Sequence, residues 1–170
     1  MNPIRVAIAS DHAGYDLKQW LYETLSEPTP ENREVTFTDL GTHSRAPIDY
    51  PELAIALGRV IQKGEADRGI LICGSGVGVT ITANKLAGIR ACLCHDSYSA
   101  HQGVEHDGMN VLALGAWVVS TRLAKELISI FIQARFSNEE RHLRRMRQIA
   151  ALEKDWPKAT TGNSFYAPHL

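Results

Sequence analysis

The sequence predicts an α/β fold, a Rossmann-like three-layer sandwich in which a parallel sheet of about five strands carries helices on both faces. Short, nearly continuous apolar runs alternate along the chain with amphipathic segments of helix length. No internal repeat or low-complexity tract interrupts this alternation over the 170 residues. Because a chain of this length suits one hydrophobic core, we predict one domain over residues 1–155, followed by an irregular tail over residues 156–170.

The strands are predicted from apolar runs bounded by glycine, proline or charged residues. The sequence of a parallel strand that is buried on both faces is a near-continuous apolar run, whereas a half-exposed strand alternates apolar with polar residues. The second predicted strand alternates and directs Val35 and Phe37 inward. The predicted strands are, in order, Ile4–Ser10, Val35–Leu40, Gly69–Cys73, Ile89–Cys94 and Asn110–Leu114.

The helices are predicted from apolar residues that recur at helical spacing between these strands. Pro51 suits the first turn of the second helix, where a missing N–H group is tolerated. The residues expected on one buried face of the first helix are Leu17, Trp20, Leu21, Thr24 and Leu25. The predicted helices are, in order, Leu17–Leu25, Pro51–Lys63, Val79–Leu86, Ser97–Glu105, Ser120–Arg135 and Asn138–Lys154.

The composition argues against several classes of function. Its 44% hydrophobic and 22% charged residues are ordinary for a soluble globular protein. A formal net charge of -1 supplies no basic field that would attract nucleic acid or an anionic membrane. No apolar run approaches the roughly 18 residues that span a bilayer, and the amino terminus lacks the apolar core of a secretory signal. We therefore expect a soluble, cytoplasmic protein without nucleic-acid or membrane partners.

The three cysteines, Cys73, Cys92 and Cys94, do not predict a disulfide framework, because their number is odd. Cys92 and Cys94 alternate on an apolar run, so we expect both on one face of a strand as small buried hydrophobic residues. A zinc site is not favoured, because the pair is one residue closer than in the usual CxxC motif and has no second pair. No metal site is predicted.

Polar or glycine-rich segments follow three of the predicted strands at their carboxyl ends, where doubly wound sheets bind ligands. They are Asp11-His12, Gly74–Gly78 and His95-Asp96. Asp11 has two interpretations, a cap of the following helix or a carboxylate that holds hydroxyl groups of a ligand. Both interpretations stay open at this point.

Three glycines in five residues follow Cys73, in the segment Gly74–Gly78. Such a turn can direct backbone N–H groups at one point, and the helix after it adds a positive dipole end. The spacing fits neither the GxGxxG dinucleotide motif nor the P-loop. The turn is either a simple tight connection or a cradle for phosphate or a developing oxyanion. Cys73 beside it is either a buried core residue or a thiolate able to remove a proton from carbon.

Histidines and arginines in the last third of the chain offer further chemistry. His101 and His106 lie on or at the end of the helix before the last strand, either as structural residues or as proton carriers. Arg141 and Arg145 are four residues apart on one face of the last helix, beside His142. That face is either a solvated basic surface or a clamp for phosphate, which arginine binds through paired N–H groups.

These segments together resemble the family of type B ribose-5-phosphate isomerases and galactose-6-phosphate isomerases. The stretches that carry the resemblance, which spans residues 4–154, are Ser10–Lys18 (SDHAGYDLK), Asp49–Pro51 (DYP), Gly69–Gly78 (GILICGSGVG), Ala83–Arg90 (ANKLAGIR) and Asn110–Gly115 (NVLALG). The combination is specific to the family, whereas each motif alone is not. The resemblance implies interconversion of aldose and ketose phosphates through a cis-enediolate, without metal or nucleotide.

The resemblance also implies roles for individual residues. Cys73 would move the proton between C1 and C2, and His106 would assist opening of the furanose ring. The enediolate oxygen would be held by the turn of Gly74, Ser75, Gly76, Val77 and Gly78. The substrate would further contact Asp11, His12, Tyr50 and Asp107, and its phosphate would bind Arg141 and Arg145, with His142 nearby. Family members are dimers or dimers of dimers whose site is built from two chains, which implies a homodimer or homotetramer here.

The chain departs from the family pattern at two site positions. Asp107 follows the ring-opening histidine, where the family usually has Asn, and Trp117 stands where the family often has Arg. Residues 28–33 and the tail are additional segments. These departures bear on the identity of the sugar more than on the reaction. Ribose 5-phosphate is therefore the first expected substrate, and the alternatives are allose 6-phosphate, galactose 6-phosphate, a tetrose phosphate, an unphosphorylated aldose, or a non-catalytic subunit that binds a sugar phosphate.

Overall fold

The computed structural model describes residues 3–27 and 35–154 of the chain. The predicted tail over residues 156–170 and the additional segment 28–33 lie outside the described residues. Within the described residues, no helix is both long and apolar enough to cross a membrane.

The five predicted strands are confirmed, and all of them run parallel in one sheet. They are β1 (Ile4–Ser10), β2 (Val35–Asp39), β3 (Arg68–Cys73), β4 (Ala91–Leu93) and β5 (Val111–Gly115). Their order across the sheet is β2-β1-β3-β5-β4, so β1, β3 and β5 are central and β2 and β4 are edge strands. All five residues of β5 are buried, as expected of a parallel strand covered on both faces.

Six helices connect and cover the strands. They are α1 (Tyr15–Ser26), α2 (Tyr50–Gln62), α3 (Val77–Ala83), α4 (Ser97–Asp107), α5 (Thr121–Gln133) and α6 (Glu140–Lys154). The apolar residues of α1, α4 and α5 pack on one face of the sheet, and those of α2 and α3 pack on the other. The predicted three-layer sandwich is therefore confirmed.

Two sequence predictions about burial are wrong. Trp20 was expected on the buried face of α1, but it is exposed and Lys18 is buried in the helix instead. Cys92 was expected to be buried like Cys94, but it is exposed, because β4 is an edge strand that no further strand covers. The two thiols do lie beside each other, and a hydrogen bond from Cys94 lowers the pKa of Cys92.

The parallel arrangement gives the sheet two chemically different edges. Strands end at what we call the carboxyl edge, and helices that follow them run back to the opposite, amino edge. Cys73 pairs with Gly115 at the carboxyl edge. Helix α4 starts after β4 and ends at Asp107, shortly before β5 begins at Val111, so its last residues lie at the amino edge.

Candidate active site

Cys73 is the last residue of β3, and its thiol faces the turn that leads into α3. The backbone N–H of Gly76 donates a hydrogen bond to Cys73 Sγ at 3.0 Å. Only 5% of the residue is exposed, so the sulfur is shielded but stands at the carboxyl edge rather than in the middle of the core. One backbone donor of the turn is therefore directed at the sulfur.

The turn after Cys73 requires glycine and leaves backbone donors without partners. Gly76 has φ +81°, and a Cβ there would lie 3.0 Å from the carbonyl oxygen of Leu114. The N–H groups of Gly74 and Ser75 donate to no acceptor within the described part of the chain. Two adjacent donors without acceptors at a strand end are suited to a developing oxyanion.

The remaining residues of the turn are arranged around α3. Ser75 is exposed, and its hydroxyl accepts a hydrogen bond from Val77 N–H at 3.3 Å. Val77 is the first residue of α3, two residues earlier than predicted. The ring of Tyr50 covers Gly78, where a Cβ would lie 2.7 Å from two ring carbons. Tyr50 is 41% exposed, so it stands at the rim of the turn with one side open.

Asp11 and His12 stand beside this turn because β1 and β3 are neighbours. The N–H of Asp11 donates to the carbonyl of Ile72, one residue before Cys73, at 3.1 Å. Asp11 Oδ1 accepts from Gly14 N–H at 3.0 Å, so Asp11 fixes the turn before α1, whereas the N-cap residue of α1 is Gly14 and no side chain caps the helix. No described residue donates to Oδ2. His12 is exposed, and its Nδ1 accepts from Ile48 N–H at 3.3 Å, which leaves Nε2 facing outward.

Two residues that the sequence prediction left out of the site also lie at the carboxyl edge. His95 accepts a hydrogen bond at Nε2 from Gly115 N–H at 3.2 Å, and Gly115 is the strand partner of Cys73. Trp117 N–H donates to the carbonyl of Gly74 at 3.0 Å. The sequence analysis placed His95-Asp96 directly after a predicted strand but gave His95 no role in the site.

A second group of polar residues surrounds His106 at the end of α4. The amide NH₂ of Gln102 lies 3.1 Å from His106 Nδ1 and donates to Asp107 Oδ2 at 3.0 Å, so one side chain holds both residues. Glu105 Oε2 lies 3.5 Å from His106 Nε2. Because the Gln102 NH₂ group donates to Nδ1, the neutral imidazole carries its proton on Nε2. His106 is 30% exposed in its side chain, and Asp107 is exposed.

The basic residues of α6 lie against this second group. The ring of His142 packs on the ring of His106 at 4.2 Å between centroids, and its Nδ1 lies 2.7 Å from Ser137 Oγ. Only 1% of His142 is exposed. Burial lowers the pKa of His142, and the nearby His106 and Arg141 lower it further. His142 is therefore neutral at neutral pH and better placed to support the His106 ring than to contact an anion.

The two arginines that were predicted to clamp phosphate are both exposed on α6. Arg141 Nε lies 2.7 Å from Glu139 Oε2, whereas Arg145 has no ion-pair partner among the described residues. His101, the other candidate histidine of α4, is exposed and lies 3.5 Å from Glu105 Oε2. The solvent-facing interpretation therefore holds for His101.

One chain does not bring these two groups of residues together. Cys73, Asp11 and Tyr50 lie at the carboxyl edge, whereas His106 lies at the amino edge before β5 begins. The length of β5 alone, from Val111 to Gly115, separates the edges by about 13 Å. A bound molecule a few ångströms long cannot touch both groups within one chain. No group of three or more His, Cys, Asp or Glu residues in residues 3–27 and 35–154 is arranged to hold a metal ion.

Comparison with known proteins gives a consistent result. Residues 6–149 match the family model described as Ribose/Galactose Isomerase. Ribose-5-phosphate isomerase B of Escherichia coli is 41% identical over 88% of this chain and 97% of its own length. A D-erythrulose-4-phosphate isomerase of Pectobacterium atrosepticum is 39% identical over 78% of this chain and 85% of its own length. The structure of Clostridium thermocellum ribose-5-phosphate isomerase B superposes with a TM-score of 0.84, at 38% identity over 90% of this chain and 99% of that one.

Proposed function

The chain belongs to the ribose/galactose isomerase family of sugar phosphate isomerases, and we propose that it interconverts ribose 5-phosphate and ribulose 5-phosphate with Cys73 as the base. The observation that carries this proposal is the position of the Cys73 thiol beside two backbone N–H groups, those of Gly74 and Ser75, without acceptors. Base and oxyanion donors on one turn suit the formation of an enediolate.

The reaction begins with removal of the C2 proton of the open-chain aldose by the Cys73 thiolate. The electrons of the C–H bond form the C1–C2 double bond, and the electrons of the aldehyde C=O bond move to O1. The N–H groups of Gly74 and Ser75 stabilise the charge on O1. The proton of the C2 hydroxyl moves to O1, the Cys73 thiol returns its proton to C1, and the electrons of the C1–C2 double bond shift so that the ketone forms at C2.

Ribose 5-phosphate is mostly a closed furanose, so the ring must open first. We assign this step to His106, whose Nε2 can donate a proton to the ring oxygen while Gln102 holds Nδ1. The bond between C1 and the ring oxygen breaks, and the C1 hydroxyl loses its proton to water as the aldehyde forms. Asp107, held by the same amide, faces the hydroxyl groups of the sugar. Asp11 Oδ2 and His12 Nε2 bind hydroxyl groups from the other side.

The phosphate binds to Arg141 and Arg145 of α6, which lie on the same side of the chain as His106. Arg145 has no carboxylate partner among the described residues and is free to bind an anion, whereas Arg141 must leave or share Glu139. Since His106 and Cys73 lie at opposite edges of one sheet, a complete site requires His106, Arg141 and Arg145 from a second copy of the chain. A symmetric dimer supplies two such sites.

Substitution of Cys73 tests the assignment of the base. Cys73→Ala removes the base and should lower turnover of ribose 5-phosphate by about 1000-fold, the effect of a general base. The variant should also lose exchange of the C2 proton with deuterium in D₂O. Cys92→Ala is the matched control, because Cys92 is exposed and stands away from the turn, and it should keep wild-type turnover.

Both variants should have the thermal unfolding midpoint and the solution mass of the wild type. Retained turnover or retained C2 exchange in a folded Cys73→Ala variant would contradict the assignment.

A second candidate is the same reaction on another sugar, such as a tetrose phosphate, galactose 6-phosphate, allose 6-phosphate or an unphosphorylated aldose. The exposed Trp117 beside Gly74 favours it, because an indole adds apolar surface and no charge to the carboxyl edge. Values of kcat/KM across pentose, hexose and tetrose phosphates decide between the two. Highest kcat/KM with ribose 5-phosphate supports the first candidate, and highest kcat/KM with another sugar supports the second.

A further inference from the structure

Trp117 stands in the turn after β5 and is fixed by the backbone beside the catalytic cysteine. Its N–H donates to the carbonyl of Gly74 at 3.0 Å, and the N–H of Ala116 donates to the carbonyl of Cys73 at 2.8 Å. These two bonds tie the turn after β5 to the turn after β3. The position of the indole is therefore coupled to the position of the Cys73 turn.

The indole ring lies against the backbone of Gly74. A Cβ at position 74 would lie 2.7 Å from Cζ3 and 2.8 Å from Cε3 of the ring, distances that no side chain tolerates. A side chain at position 74 would therefore displace the indole ring. At the other end of the same turn, the ring of Tyr50 covers Gly78 with an equally short distance of 2.7 Å.

The turn that carries the oxyanion donors is therefore flanked by two aromatic rings. Each ring rests on a glycine, and each leaves much of its surface to solvent, 81% for Trp117 and 41% for Tyr50. Burial in the core does not account for Trp117, since little of its apolar surface leaves water in this chain. Exposed aromatic surface beside a group of convergent polar donors is typical of ligand sites.

The two halves of the proposed site differ in charge. The rings of Trp117 and Tyr50 are uncharged, whereas Arg141 and Arg145 lie with His106 at the other edge of the sheet. A phosphate therefore has its binding partners on α6, and the carboxyl edge offers apolar surface to the carbon chain. The C–H groups of an open-chain sugar form an apolar face that packs on an aromatic ring.

We propose that Trp117 determines specificity by packing its exposed indole face on the carbon chain of the sugar, opposite Tyr50, while the phosphate is held elsewhere. This inference rests on the proposed function. It assigns to Trp117 a contact with the carbon chain and none with the phosphate. Trp117 is thus a residue that selects substrates by the shape of their carbon chain.

The test separates binding of the carbon chain from binding of the phosphate. Trp117→Ala should raise KM for the preferred sugar phosphate about tenfold, the effect of losing one stacking contact, with little change in kcat. The inhibition constant of inorganic phosphate, which has no carbon chain, should stay within twofold of the wild-type value. Trp117→Phe keeps an aromatic face and should keep most of the affinity for the sugar phosphate.

Val118→Ala is the matched control. Val118 is the next residue and is 59% exposed, so its truncation changes apolar surface at the same turn without touching the indole. Its KM should equal that of the wild type. An unchanged KM in Trp117→Ala, or an equal increase in KM and in the phosphate inhibition constant, would overturn the inference. An unchanged KM in an active enzyme would leave the proposed function standing.

A second measurement does not depend on turnover. In a Cys73→Ala background, titration with the sugar phosphate should change tryptophan fluorescence, and the change should be lost when Trp117→Phe is added. Inorganic phosphate should give no such change. A sugar-induced signal that persists without Trp117 would place the contact at another tryptophan and contradict the inference.

Discussion

The ammonium of Lys18 is the least expected single feature of the structure, because it is fully buried among the apolar residues of α1. It lies against the Asp39 carboxylate and donates to Gln19 Oε1 at 2.8 Å. Asp39 Oδ1 in turn accepts from Gly41 N–H at 2.8 Å, and the carbonyl of Gly41 accepts from Ser10 N–H at 2.8 Å. The ion pair thus fixes the loop beside the end of β1, next to the site residue Asp11.

Removal of the ammonium should leave the Asp39 carboxylate largely buried without its partner. We expect Lys18→Met to lower the free energy of unfolding by about 3 kcal/mol, the usual effect of breaking a buried ion pair. Lys125→Met, at an exposed position of α5, should change it by less than about 0.5 kcal/mol. Urea unfolding measures the free energy of unfolding of both variants. Lys18→Met combined with Asp39→Asn should recover part of the loss, and a single variant as stable as the wild type would contradict this role.

At the scale of elements, α4 and α6 meet where His106 packs on His142. The buried His142 ring supports the exposed side of the site, and its pKa is lowered by burial and by the neighbouring His106 and Arg141. Other groups around it are Glu139, which raises the pKa, and Arg145, which lowers it. The folded chain therefore disfavours protonation of His142.

The pH dependence of stability follows from this lowered pKa. An unfolded histidine has a pKa of about 6.5, so below that pH the unfolded chain binds a proton that the folded chain resists. Stability is then lost as the pH falls below about 6.5. The thermal unfolding midpoint should drop more between pH 7 and pH 5 in the wild type than in His142→Gln. An equal or larger drop in the variant would show that His142 does not cause the acid sensitivity.

The elements also show which structural features could be predicted from sequence patterns. The run Ile4–Ser10 predicts β1 to the residue, because burial on both faces leaves a continuous apolar signature. The helical period of α1 does not predict that Lys18 is buried and Trp20 is exposed. Lys18 is buried because it pairs with Asp39, and Asp39 is distant in sequence. Cys92 is exposed because β4 is an edge strand. The order of the strands in the sheet could not be predicted from the sequences of the individual strands.

The candidate site, too, could be predicted from the sequence only in part. The position of Cys73, Asp11 and the glycine turn at strand ends follows from the predicted βαβ order, and those residues do lie together. The packing of Trp117 on Gly74 and of Tyr50 on Gly78 could not be predicted, because each depends on side-chain positions across neighbouring loops. Local patterns left two interpretations open for His106 and for the arginines of α6, and the resemblance to the isomerase family selected between them.

At the scale of the whole molecule, the central proposal is that one reaction uses both edges of the sheet. The Cys73 turn and the His106 group are separated by at least the length of β5, about 13 Å, so they can act on one sugar only across two chains. This predicts a particle of at least twice the 18.8 kDa chain mass in solution. It also predicts that two variants, each inactive alone, regain activity when their chains are combined in one dimer.

The most direct measurement is complementation between Cys73→Ala and His106→Asn. Each variant alone should be nearly inactive. After equimolar mixing, unfolding and refolding, half of the dimers contain one chain of each kind, and one of their two sites has both Cys73 and His106. Activity should then return to about a quarter of the wild-type value. Refolded mixtures that contain hybrid dimers but remain as inactive as the separate variants would contradict a site shared between chains.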